Sequence, residues 1–98
     1  MKLTDLSSEY LKFMVKTYSD THKNVFQFEQ FKELHPNLDI PFMSDAIYLL
    51  EKDGFVAISS YDNVPYFVRL DVSAIRDTEE NTLIKKGYAI AKEIKSWL

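Results

Sequence analysis

The side chains able to do chemistry are few and scattered. His22 and His35 are the only histidines and there is no Cys, whereas a metal site needs three or four convergent ligands. The polar clusters Ser7-Ser8-Glu9 and Asp77-Thr78-Glu79-Glu80 contain potential nucleophiles and bases. Each stands where a helix is expected to begin, so capping is the expected role rather than catalysis. With only two glycines and three prolines, long loops and phosphate-cradling loops are both scarce. The expectation is therefore no reaction, no metal and no cofactor. What remains is binding chemistry, in which Ser44, Tyr48, Tyr61 and Asn63 can donate hydrogen bonds and Lys23, Lys32 and Lys52 can meet an anion.

Positioning these residues requires a fold, and 98 residues suffice for one domain spanning the whole chain, residues 1–98. The 46% hydrophobic content, with seven Phe and six Tyr, supplies a core and argues against disorder. No apolar run approaches the ~20 residues of a membrane span, and the N-terminal residues lack the apolar stretch of a signal peptide. Cytosolic, with no membrane partner, is the expectation.

Leu11, Met14, Val15 and Tyr18 recur at helical spacing, widened by Tyr10 and Phe13, behind a cap at Ser7 or Ser8. Val25 and Phe26 can add a short rung to a sheet. A second helix is expected over about 28–34 with Phe28, Phe31 and Leu34 inward, behind the weak cap Gln27, and His35-Pro36 stops it. Asp39 caps a third helix with Pro41 in its first turn and Met43, Ala46, Ile47 and Leu50 buried. Gly54 ends it. The period then changes, and residues of about 55–70 read as a hairpin around the turn formers 60–65. Tyr48, Tyr61, Tyr66 and Phe67 could stack unpaired bases, but Tyr66 and Phe67 are expected in core or cross-strand packing, and Tyr61 is expected exposed.

A final helix over about 78–98 carries Leu83, Gly87, Ile90, Ile94 and Trp97 on one stripe. Ile84, Tyr88, Ala91 and Leu98 form another, with Lys85, Lys92 and Lys95 on the far side. One core cannot easily cover both stripes. The expectation is a homodimer through Ile84, Tyr88, Ala91, Trp97 and Leu98, with packing on the first helix as the alternative.

The order of these elements, and the run Asp45-Ala46-Ile47-Tyr48-Leu49-Leu50-Glu51-Lys52-Asp53-Gly54-Phe55-Val56, resemble the winged helix-turn-helix. The likeness is greatest to small winged-helix proteins of Gram-positive bacteria and their phages, some of which end in a similar Glu-Ile-Lys-x-Trp helix. It implies an α+β fold with a three-helix core, a β-hairpin wing and a long C-terminal helix, and a non-catalytic DNA-binding or DNA-associated regulatory role. The third helix would then read the major groove through Ser44, Asp45, Tyr48 and Lys52. Tyr61 and Asn63 would sit at the wing tip, and Lys23 and Lys32 would flank the motif. Charge points elsewhere: between Pro36 and Tyr66, Asp39, Asp45, Glu51, Asp53 and Asp62 face only Lys52. Phosphate contacts require cations or good donors, so the competing expectation is a protein-interaction module or DNA mimic using this acidic helix.

Overall fold

The computed structural model describes residues 1–98 as an α+β arrangement of six helices and one three-stranded antiparallel sheet. Helix α1 runs Leu3–Thr21, starting five or six residues earlier than a cap at Ser7 or Ser8 would allow. The Asp5 carboxylate accepts from the backbone N–H of Lys2 at its start (3.2 Å), and His22 closes it in a left-handed conformation. Both serines lie buried inside the helix. Ser7 Oγ donates to the Ala46 carbonyl (2.7 Å) and Ser8 Oγ to that of Thr4 (2.8 Å). Small hydroxyls on this face let another helix approach closely while keeping their own hydrogen bonds.

Strand β1 (Val25–Gln27) is the expected rung. Helix α2 (Phe28–Leu34) follows immediately, and Gln27 proves adequate at its start because Gln30 Oε1 reaches back to the Gln27 N–H (2.8 Å). Phe28 and Phe31 are buried, but Leu34 is exposed. At about 100° per residue, Leu34 has rotated roughly 120° away from Phe28. Helix α3 (Ile40–Lys52) begins as expected, with Asp39 Oδ1 accepting from the Phe42 N–H (2.9 Å). Met43, Ala46, Ile47 and Leu50 face inward. Gly54, at φ +84°, reverses the chain, and the Phe55 N–H returns to the Leu50 carbonyl (3.0 Å).

Strands β2 (Val56–Tyr61) and β3 (Val64–Leu70) form the hairpin, with β3 central in the order β1-β3-β2. The turn is tighter than the turn-forming sequence suggests. Only Asp62 and Asn63 lie outside the strands, both at positive φ (51° and 62°), as a two-residue hairpin turn of this twist requires. Pro65 sits within the central strand opposite Ser60, at an irregularity in the ladder and beyond the reach of β1, so its missing donor is not needed.

A short helix α4 (Val72–Asp77) precedes the terminal segment, and the single helix expected over 78–98 is replaced by two short ones, α5 (Glu80–Lys85) and α6 (Ala91–Trp97). Asp71 caps α4 by accepting from the Ala74 N–H (3.0 Å). The break between α5 and α6 centres on Gly87 at φ +97°, a conformation that strains any other residue. A Cβ there would also meet Thr4 Cβ at 3.4 Å. The close approach expected of this glycine is thus made to α1 of the same chain.

Bending the segment covers most of both apolar stripes within one chain, leaving Ile84 outside. Leu83, Tyr88, Ala91 and Ile94 join one core of 21 buried hydrophobic residues, and Trp97 and Leu98 pack at its edge. Of the residues assigned to a two-copy interface, Tyr88 and Ala91 are therefore inside their own chain, and only Ile84 is exposed. Lys95, expected on the solvent side with Lys85 and Lys92, instead donates to the carbonyls of Ile75, Arg76 and Thr78 at 3.1, 2.6 and 2.7 Å. It thereby ties α6 to the end of α4. No helix is long and apolar enough to cross a membrane.

Candidate binding surface

The outer side of α3, the start of α2 and the hairpin tip meet at one end of the sheet. Two adjacent depressions lie there. A groove of about 340 Å³ is lined by Ile40, Pro41, Ser44, Asp45, Tyr48, Asp62, Asn63 and Val64. Four residues singled out from the sequence, Ser44, Asp45, Tyr48 and Asn63, thus come together. A second cleft of about 250 Å³ shares Ile40, Asp62 and Val64 with it and adds Gln27, Phe28, Glu29, Lys32, Tyr61 and Tyr66. Lys32 and Tyr61 are in this cleft, whereas Lys23 and Lys52 are exposed and line neither depression.

The individual positions alter what each residue can do. Ser44, expected to point outward, is buried and its Oγ has no hydrogen-bond partner, so it offers little to a ligand. The stripe of Met43, Ala46, Ile47 and Leu50 is wide enough to carry the next position inward with it. Tyr48 is half-buried, and its hydroxyl shares a 2.8 Å hydrogen bond with Ser60 Oγ, pinning α3 to β2. Asp45 and Lys52 remain free to meet solvent or a partner. Lys32 Nζ lies 3.7 Å from Glu29 Oε1 and is already partly neutralised. Asp53, counted among the acids from the sequence, turns inward. It accepts from the Tyr88 hydroxyl (2.6 Å) and lies 3.9 Å from Lys86.

Burial and this bond to Asp53 both push the Tyr88 hydroxyl pKa upward, so the ring stays a neutral donor. The Tyr10 hydroxyl pKa is also raised, to about 12, first by burial and second by the charge of Glu9. Its hydroxyl is buried without a partner. Neither tyrosine lines the grooves, and both belong to the scaffold.

Of the core or cross-strand packing expected for Tyr66 and Phe67, the core part does not hold. Tyr61 is 70% exposed, as expected at a tip, but Tyr66 (53%) and Phe67 (42%) are exposed too. Their rings meet edge to face at 5.1 Å. Phe67 pairs with Gln27 on one side and Ser59 on the other, on the sheet face turned away from the helices. Val68 and Leu70 take the core face instead. Alternation was visible in the sequence, but a run of apolar residues does not say which member of each pair points inward.

No group of three or more His, Asp or Glu side chains gathers as metal ligands would. Glu9 and His35 pair on the surface between α1 and the end of α2, but Ser7 and Ser8 direct their hydroxyls to backbone carbonyls instead of that pair. No family model, no curated protein and no solved structure matches the chain.

Proposed function

We propose that this chain is a non-catalytic winged helix-turn-helix regulatory domain whose α3–hairpin face binds a basic protein partner. The winged-helix assignment is supported by the element order α1-β1-α2-α3-β2-β3 and by the sheet order β1-β3-β2. It is also supported by the placing of the hairpin beside α3. The observation that carries the partner's chemistry is the charge of that face. Asp45 and Glu51 on α3 and Asp62 in the hairpin turn are exposed, Asp39 caps α3, and Lys52 is the one base of that helix. Such a surface repels phosphates and attracts lysine and arginine.

Duplex DNA is the second reading, favoured by one arrangement: a short helix, a turn and a longer helix with a hairpin alongside suit a major groove. Titration with mixed-sequence duplex and with poly-L-lysine, each across a salt series, separates the two. Binding of poly-L-lysine that weakens with salt, with no DNA binding at low salt, is the expected result. DNA affinity falling by about 0.9 log unit per log unit of salt for each phosphate contact would replace the protein reading with the DNA reading.

A further inference from the structure

We propose that the cleft between the start of α2 and the hairpin tip receives the side chain of an arginine from a basic peptide. Its volume of about 250 Å³ is below the roughly 300–1,000 Å³ typical of small-molecule sites and suits one long side chain better than a cofactor. Phe28, Ile40 and Val64 supply apolar wall for the methylene stem. Tyr61 and Tyr66, both exposed, offer rings to a guanidinium, which stacks on aromatic faces as well as bonding carboxylates. Glu29 and Asp62 supply those carboxylates from opposite elements, α2 and the hairpin turn.

A cation already occupies part of this wall. Lys32, a lining residue, pairs with Glu29 at 3.7 Å and offsets one of the two carboxylates, which leaves the lining with a net negative charge. An incoming arginine competes with Lys32 for Glu29 and finds Asp62 with no ion-pair partner. The exposed apolar surface continues along β3 to Phe67, which gives residues flanking the arginine somewhere to lie.

The inference rests on the protein-partner reading above and makes the role of Lys32 opposite to that of a phosphate contact. The test is an NMR titration of the isotope-labelled full chain with the capped pentapeptide Ala-Ala-Arg-Ala-Ala and with its uncharged citrulline counterpart. Saturable shifts confined to Gln27, Glu29, Tyr61, Asp62 and Tyr66 are expected, at least five-fold weaker for citrulline. Asp62→Asn, which keeps a residue tolerant of positive φ, is expected to weaken binding about three-fold or more, and Lys32→Ala to strengthen it. Equal binding of citrulline, shifts spread over every exposed carboxylate, or weakening by Lys32→Ala would overturn the arginine cleft. Binding of poly-L-lysine to the α3 face would still uphold the wider reading in those cases, and its loss would remove both.

Discussion

Single side chains here matter mostly through what they leave unpaired or tie together. The Tyr10 hydroxyl is buried with no partner, a burden that removing the oxygen relieves. Tyr10→Phe is expected to leave stability at neutral pH unchanged or to raise it by about 1 kcal/mol, measured by chemical denaturation. The same tyrosine sets a pH limit. Its pKa is near 10 when unfolded and about 12 when folded, so the unfolded chain ionises first. Stability is then constant below pH 10 and falls between pH 10 and 12, by up to about 1.4 kcal/mol per pH unit for each such tyrosine. Tyr88 shifts in the same direction. Denaturation curves from pH 9 to 11.5 should show this decline, and Tyr10→Phe should make it shallower. An equal slope in the variant would mean that Tyr10 ionises freely in the folded state. Lys95 acts oppositely, as a cation holding three carbonyls. Lys95→Met keeps the stem and loses those bonds, with an expected cost of about 1–3 kcal/mol given that the site is partly exposed.

At the scale of elements, α3 and the hairpin decide the shape of the binding face. Leu50 is fully buried on the stripe by which α3 joins the core, and Leu50→Ala should cost ~2–5 kcal/mol. A loss under ~1 kcal/mol would show that the site collapses without a cavity. The hairpin depends on two non-glycine residues at positive φ. Asn63→Ala is expected to destabilise the fold by about 1 kcal/mol, because a Cβ with no compensating side-chain polarity is strained there, while Asn63→Gly should be neutral or stabilising. Thermal unfolding of the pair checks the sign directly. The order of helices, the cap at Asp39, the stop at Gly54 and the existence of the hairpin were all legible in the sequence, because each depends on neighbours three or four positions away. The terminal segment was not. Its two stripes satisfy one helix's period as well as they satisfy two shorter helices, and only contact with Thr4 and the core selects the break at Gly87.

For the whole molecule, the balance of charge and exposed aromatics is what separates one partner from another. The formal net charge is −3, and the face formed by α3 and the hairpin tip carries several of the acids. Reversing two of them, in Asp45→Lys with Glu51→Lys, should abolish poly-L-lysine binding at that face and leave the fold intact, since both side chains are solvent-exposed. Filter binding with mixed-sequence duplex then gives the complementary readout: gain of salt-sensitive DNA affinity in the double variant is expected, and unchanged poly-L-lysine binding would place the basic partner elsewhere. The sequence by itself determined the order of the secondary elements up to Leu70 and the acidity of the third helix, both of which follow from residue type and short-range spacing. Tertiary structure alone decided that Ser7, Ser8 and Ser44 are buried while Tyr66 and Phe67 are exposed, that Tyr88 belongs to its own core, and that Glu29 and Asp62 line one cleft. Burial depends on which faces meet after the chain closes, and pattern along the chain does not contain that information.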